Sequence, residues 1–282
     1  MATHAPRSTV ELDCLAPASP GVWQRGRTIV RRDTSLPTRS VTAYSEDRRI
    51  VVRHNLAARH LADSLVDSVT SVVTAAGGGR AEFETAMVGL VRTTVDDPHE
   101  AWATFYRNSL AELLDGTAAF APVHRRAADL TTGSVLDLGS CFGFFPLQLA
   151  LADPDRSVIA TDVHRATMEL LARTSRRIGV PVVTRACDAA DLPFPDGMVD
   201  TVTALHLLEH VDHGTGMRVL REACRVARRR VVVAVPYEAA PELCHGHVRS
   251  FDRASLHCIG SELGVDYIVF DHHGGWLVID VG

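Results

Sequence analysis

The sequence predicts an α/β fold: a doubly wound, seven-stranded, mainly parallel sheet, preceded by an N-terminal helical region and a short β-hairpin. Three observations carry this. From residue 134 onward, short apolar runs alternate with stretches of helical periodicity. The runs are apolar without strict alternation, as strands must be when helices cover both faces of a sheet. The final two runs, over 267–270 and 276–281, are joined by too few residues for a crossover helix, so they close the sheet as an antiparallel hairpin.

Taken in order, residues 1–38 are rich in Pro, Ser, Thr and Arg without apolar periodicity and are expected to form a poorly ordered arm. The span 39–130 holds the hairpin and the helices. Alternating runs over 40–44 and 49–54 flank Ser45-Glu46-Asp47 and predict the hairpin. Leu61, Leu65, Val69, Val72 and Val73 predict a helix over 57–76, stopped by Gly77-Gly78-Gly79. A second helix is expected over 81–95. A third opens at Asp96-Asp97-Pro98 and runs through Trp102, Phe105, Tyr106, Leu110 and Leu113 to Gly116, and a fourth covers 118–130. The span 131–282 reads as the ligand-binding domain, with strands over 135–138, 158–161, 182–185, 199–205 and 231–235 before the closing pair. Its helices are expected over 145–152, 165–178, 216–225 and 253–263.

Composition narrows the function. A net charge of −5 provides no basic field for nucleic acid or anionic lipid. All 29 Lys+Arg residues are arginines, scattered apart from Arg228-Arg229-Arg230, which reads as a solvated strand edge. The six cysteines form no CxxC pair, so neither a zinc module nor a disulfide framework is suggested, and a reducing cytoplasm fits. No stretch approaches the ~18 apolar residues of a membrane span.

The first strand and its loop read Val135-Leu136-Asp137-Leu138-Gly139-Ser140-Cys141-Phe142-Gly143. In doubly wound folds this turn is where a nucleoside fits, and Gly139 and Gly143 would let the backbone approach it. A dinucleotide site needs G-x-G-x-x-G; here Cys141 stands at the middle glycine and the third is missing. Asp137 would repel a pyrophosphate but suits an ammonium. Asp162 ends the second strand, where a carboxylate can accept both ribose hydroxyls, or simply cap the next helix. Past the third strand, Asp188 can accept from an adenine amino group, with Ala189 among the apolar residues over the ring.

These residues, in this order and spacing, together with Leu208-Glu209-His210 after the fourth strand, resemble class I S-adenosylmethionine-dependent methyltransferases over roughly half the chain. The resemblance implies a Rossmann-like methyltransferase domain that binds S-adenosyl-L-methionine through Asp137, Gly139, Cys141, Gly143, Asp162, Asp188, Ala189 and His206. It also implies that the helices of 57–130 form a lid over the acceptor. Ser140-Cys141-Phe142 departs from the usual loop and puts bulk near the cofactor.

Methyl transfer from a sulfonium is an in-line displacement, so the protein mainly aligns donor and acceptor. A hydroxyl acceptor also has a proton to lose, which calls for a base or a metal ion. His206, Glu209 and His210 lie at i, i+3 and i+4, one face of a helical turn. His247 precedes Phe251 in a segment where related O-methyltransferases place a histidine. His210, His247 and Glu209 are therefore the candidate catalytic residues. They resemble a Glu-His pair plus a later histidine that holds a divalent cation in some relatives, and they equally suit a structural turn. His272-His273 reads as a solvated loop. Trp102, Phe105 and Tyr106 read as lid core, with Tyr106, Arg107 and Asn108 as possible polar contacts.

The stretch from Val95-Asp96-Asp97-Pro98 through Phe105-Tyr106-Arg107-Asn108-Ser109-Leu110, Phe120-Ala121-Pro122-Val123-His124 and Gly139-Ser140-Cys141-Phe142-Gly143-Phe144 is similar to the mycofactocin oligosaccharide methyltransferase family. That resemblance implies O-methylation of a glucose in an oligosaccharide tail. Two other classes compete. A nicotinamide oxidoreductase lacks its third glycine and any catalytic lysine. A regulator that binds the cofactor without chemistry would keep the same carboxylates.

Overall fold

A computed structural model describes residues 13–282. Apolar strand formers open the chain: β1 (Val22–Arg25) carries Trp23, β2 (Thr28–Arg32) carries Ile29 and Val30, and β4 (Arg49–His54) carries Ile50-Val51-Val52. With β3 (Val41–Glu46) they form a four-stranded sheet ordered β1-β2-β4-β3, in which β2 runs parallel to β4. The expected hairpin is β3 and β4, now inside a larger sheet. The expected poorly ordered arm over 1–38 is corrected from residue 13 onward, residues 1–12 lying outside the described ones. Cys14 and Trp23 are buried, and the Cys14 carbonyl accepts from Trp102 Nε1 at 2.9 Å and Arg92 Nη1 at 3.1 Å. The run over 22–32 holds a local hairpin, β1 and β2 joined at Gly26-Arg27, and its addition to the larger sheet comes from remote partners, Thr28 pairing with Ile50.

The helix expected over 57–76 is α-helical only as α1 (Val66–Ala75). Its first half is two 3-10 turns, Ala58–His60 and Asp63–Leu65. Side chains from α3 (Pro98–Asp115) hold these turns: Asn108 Nδ2 donates to the Ala58 and Leu61 carbonyls, both at 2.9 Å, and the Asp63 N–H donates to Ser109 Oγ at 2.9 Å. Between them runs α2 (Arg80–Thr94), packed on the first sheet. The start of α3 is fixed by Asp97, which accepts from the Glu100 N–H at 2.7 Å, and by Pro98 in the first turn. The fourth expected helix, α4 (Ala121–Leu130), follows.

From there strand and helix alternate as the sequence predicts: β5 (Val135–Leu138), α5 (Phe144–Ala152), β6 (Val158–Asp162), α6 (Arg165–Arg177), β7 (Val183–Ala186), β8 (Val199–Leu205), α7 (His213–Val226), β9 (Ala227–Val235), α8 (Arg253–Leu263), β10 (Tyr267–Asp271) and β11 (Gly275–Asp280). The sheet order is β10-β11-β9-β8-β5-β6-β7, with β5 to β9 mutually parallel and β11 antiparallel to β9 and β10. The arginine run lies in the first turns of β9, where Arg230 pairs with Asp280 at 2.9 Å and Arg228 with Asp200 at 3.3 Å.

Burial on both faces explains the unbroken apolar strands. Leu136 and Leu138 are fully enclosed, each worth about 1.5–3 kcal/mol of transfer free energy. The N-terminal helices share a core with α5 and α6, in which Trp102, Phe105 and Tyr106 meet Leu147 and Leu171. The other face is covered by α7 and α8. The winding direction reverses between β5 and β8, so a crevice opens beyond their carboxyl ends, where ligands bind in such folds. Among the described residues no helix is long and apolar enough to cross a membrane.

Candidate functional site

Four expected residues stand along one rim of the sheet: Asp137 on β5, Asp162 at the end of β6, Asp188 just past β7 and His206 just past β8. Asp137 is buried, and its oxygens accept from Ser140 Oγ and Thr203 Oγ1, each at 2.6 Å. Burial pushes its carboxyl up to about 6 against those two hydrogen bonds. Each oxygen accepts one hydrogen bond and keeps a lone pair, so Asp137 tethers the loop to the sheet and retains acceptor capacity toward an ammonium. Asp162 Oδ2 accepts from the Cys141 N–H at 3.0 Å and Oδ1 from the His164 N–H at 2.9 Å. Each oxygen keeps a lone pair for a ribose hydroxyl. Asp188 Oδ1 accepts from the Ala190 N–H at 2.8 Å, and Ala189 packs half-buried against the core.

The loop glycines also serve packing. Gly139 and Gly143 have φ of +67° and +73°, the left-handed region. A Cβ at Gly139 would lie 2.7 Å from Leu207 Cδ1, and one at Gly143 would overlap Leu171, so both positions also admit close-packed side chains. Cys141 holds φ +50° with a side chain in place. A non-glycine residue there costs roughly 1–2 kcal/mol. Cys141→Gly is expected to keep cofactor affinity and stabilise the protein by up to about 1 kcal/mol, read as a rise in urea midpoint at constant slope. An unchanged or lower midpoint would contradict the strain.

The loop's bulk is directed away from the crevice. Phe142 stacks on Trp102 with ring centroids 5.7 Å apart and meets Phe105 and Tyr106 edge-on at 5.7 and 6.3 Å. The aromatic stripe of α3 is therefore core. Asn108 is occupied with backbone carbonyls, and Arg107 pairs with Glu100 at 3.0 Å.

The candidate catalytic residues meet where the chain after β8 packs on the chain after β9. The expected helical turn carrying His206, Glu209 and His210 is corrected: Leu208–His210 is a 3-10 turn, and His206 precedes it at φ +53°. Strand β8 ends abruptly there, which rotates His206 toward Phe120, the rings 4.9 Å apart, while His210 faces His247 at 4.8 Å. The chain after β9 supplies His247, and the Val248 N–H, donating to the Glu209 carbonyl at 2.8 Å, brings the two segments together. Glu209 is fully buried. Its Oε1 lies 3.2 Å from His206 Nδ1, but neither oxygen has an aligned hydrogen-bond partner among the described residues, nor does His210 Nδ1. Burial first, and His247 more weakly, hold the His210 imidazole below its usual range, with Glu209 pulling the other way.

One member was missed by sequence reasoning. Glu238 Oε2 lies 2.9 Å from His247 Nδ1. A carboxylate only accepts, so Nδ1 carries a proton, and in the neutral imidazole Nε2 is the nitrogen left with a lone pair. The nine-residue separation in an irregular loop gives no periodic signal. The roof comes from the N-terminal helices: Thr70 Oγ1 lies 3.0 Å from His245 Nε2, the Phe83 ring 5.4 Å from that of His245, and Arg80 against Gly246. The hairpin His272-His273 takes no part.

Residues 136–235, from β5 to the end of β9, match a family model described as a methyltransferase domain. Residues 136–235 are a methyltransferase domain. The domain is 27% identical over 152 residues to a ubiquinone/menaquinone biosynthesis C-methyltransferase, UbiE, of Desulfotalea psychrophila, a match covering 53% of this chain. The chain spans 60% of that curated relative's length. Among solved structures it is similar to a SAM-dependent methyltransferase from Aquifex aeolicus, 16% identical with TM-score 0.47, covering 61% of this chain and 97% of that one. It is similar also to the YcgJ protein of Bacillus subtilis, 23% identical with TM-score 0.44, covering 54% and 70% of the two chains. The methyltransferase domain contains the rim carboxylates, His206, Glu209 and His210; His247 and the N-terminal roof lie outside it.

S-Adenosylmethionine fits what the domain offers: carboxylates at the ends of adjacent strands, and loop bulk turned away into the core. A divalent cation fits Glu209, His210 and His247, whose candidate ligand atoms all lie within 4.8 Å of one another. A buried carboxylate with only the unaligned His206 contact on Oε1 and nothing on Oε2 is costly unless something cationic meets it.

Proposed function

We propose that the protein is an S-adenosylmethionine-dependent O-methyltransferase acting on a hydroxyl of a small molecule or glycan, a glucose of the mycofactocin oligosaccharide being the acceptor. The observation that carries O-methylation is the Glu238–His247 pair beside buried Glu209 and His210. A hydroxyl nucleophile must lose a proton, and a neutral histidine with a free Nε2, oriented by a carboxylate, is suited to take it. The choice of acceptor rests on the sequence likeness across residues 95–144, and the polar roof of Thr70 and Arg80 is consistent with a polyhydroxyl substrate.

In this reading Asp162 and Asp188 hold the ribose and adenine, and the roof excludes water from the transfer. A cation held by Glu209, His210 and His247 would supply Lewis-acid polarisation of the acceptor hydroxyl. The under-satisfied Glu209 carboxylate favours this second reading of the cluster. Chelation with EDTA distinguishes the two: base chemistry alone leaves turnover intact, whereas a cation site loses turnover and regains it on adding back magnesium, manganese or zinc.

The acceptor is tested by incubating the protein with methyl-labelled cofactor and glucose-bearing oligosaccharides, then analysing products by mass and carbon NMR. One oxygen-bound methyl per hexose is the expected product. Label appearing only on carbon, protein or nucleic acid would end the sugar reading.

A further inference from the structure

We propose that the cavity between α4 and the β10–β11 hairpin is an anion site that takes the phosphate dianion of a small molecule. The cavity lies outside residues 136–235 and stands apart from the choice of methyl acceptor.

Two segments remote in sequence compose it. Arg125 and Arg126 come from α4, and Phe270, Asp271, His272 and His273 from the hairpin; together they line a space of about 490 Å³. That volume falls within the range of small-molecule sites.

A stack of planar groups fixes the cationic wall. Trp276 of β11 is 1% exposed, and Phe270 lies almost parallel to it, with centroids 5.8 Å and planes 6° apart. The Arg126 guanidinium sits over the Phe270 ring at 4.9 Å. A guanidinium held over a ring keeps its N–H donors for a further partner. Trp276 also anchors the loop, its Nε1 donating to the His272 carbonyl at 2.7 Å. Arginine, ring stack and loop are thereby tied together before any ligand arrives, which lowers the ordering cost of binding.

The charges on the walls call for an anion. Among the described residues neither Arg125 nor Arg126 has an ion pair or donates a hydrogen bond. Asp271 is already satisfied: Oδ1 accepts from the Tyr237 hydroxyl at 2.8 Å and Oδ2 from Arg253 Nη1 at 3.1 Å. Asp129 is the other carboxylate on the wall, and it pairs with neither arginine. Two guanidiniums thus face one free carboxylate, and each imidazole adds an N–H. A tetrahedral dianion, with acceptor oxygens on every side, uses donors spread over two walls better than a planar monoanion does.

The cavity is also coupled to the catalytic cluster through the chain. Tyr237 holds Asp271 on the cavity wall, and the next residue, Glu238, holds His247 Nδ1 at 2.9 Å. Cavity and cluster are therefore anchored to consecutive residues.

The test is calorimetric titration of the full chain, in phosphate-free buffer, with inorganic phosphate, glucose 6-phosphate and acetate. Phosphate is expected to bind, and acetate to bind at least about 10-fold more weakly. Saturating S-adenosylhomocysteine should leave phosphate affinity unchanged. Arg126→Gln should weaken phosphate about 10- to 100-fold, and Arg126→Lys, which keeps the charge without the planar fork, should recover only part of that loss. Arg125→Gln, exposed on the same helix, gives a second variant with the same expected loss. Arg176→Gln, exposed on α6, removes an equal charge elsewhere and should bind phosphate as the parent does. Tighter binding of glucose 6-phosphate than of phosphate identifies an ester as the occupant; equal or weaker binding identifies the free ion. Absence of binding to the parent, equal affinity in Arg126→Gln and Arg176→Gln, acetate as tight as phosphate, or displacement by S-adenosylhomocysteine would each overturn the assignment.

Discussion

Replacing His247 by alanine is expected to lower kcat by about two to four orders of magnitude while leaving S-adenosylhomocysteine affinity unchanged. His247 is buried and lies outside the cofactor rim. Its loss removes the free Nε2 without touching Asp162 or Asp188. Glu209→Gln and His210→Ala should fall in the same range, since they share the cluster. Glu238→Gln discriminates a chemical role from a structural one. The amide still occupies the space, but it no longer fixes Nδ1 as the protonated nitrogen or supports a positive imidazole. Turnover should drop about 10- to 100-fold, in keeping with the loss of an orienting carboxylate. The acidic limb of the pH–rate profile should move to lower pH, because the imidazole loses the negative charge that favours its protonation. His99→Ala, exposed at the start of α3, provides the control and should behave as the parent. Full turnover in both His210→Ala and His247→Ala would show the base assignment to be wrong.

The second large effect concerns stability. Trp102→Ala is expected to cost about 3–5 kcal/mol, measured by urea unfolding. The indole is 1% exposed, stacks on Phe142, touches Phe105 edge-on and donates to the Cys14 carbonyl at 2.9 Å. Removing it opens a cavity where the first sheet, α3 and the cofactor loop meet. Cofactor binding should weaken along with stability, because Phe142 loses the stacking partner that turns it away from the crevice. Leu114→Ala on the same helix, where the side chain is 63% exposed, should change stability by less than about 0.5 kcal/mol. A Trp102→Ala variant as stable as the Leu114→Ala variant would mean that the core at this junction is not continuous.

Much of the architecture was legible because it is encoded at short range. The parallel strands advertise themselves as apolar runs between helical periods, and β8 spans 199–205 as predicted. Asp97-Pro98 and Gly116 delimit α3 by capping chemistry that operates within one turn. The rim carboxylates Asp137, Asp162 and Asp188 are strand-end residues, and a parallel sheet necessarily aligns strand ends. What was misread depends on distant partners. The pairing of β2 with β4 joins remote segments, although the β1–β2 hairpin around Gly26-Arg27 is local. The turn at Ala58–His60 replaced a helix because Asn108, fifty residues away, caps its carbonyls better than a further helical turn would.

The amino-acid order by itself determined the class I methyltransferase topology, the rim of carboxylates and the candidacy of Glu209, His210 and His247, because each depends on local periodicity or on strand ends that a parallel sheet must align. Only the tertiary structure decided which atoms are free to act. It tied Asp137 to Ser140 and Thr203, turned Phe142 into the α3 core, placed Glu238 on His247 Nδ1 and left the Glu209 oxygens without an aligned hydrogen-bond partner. The physical reason is that hydrogen-bond satisfaction and desolvation belong to groups brought together from different segments, and no window of sequence contains both partners.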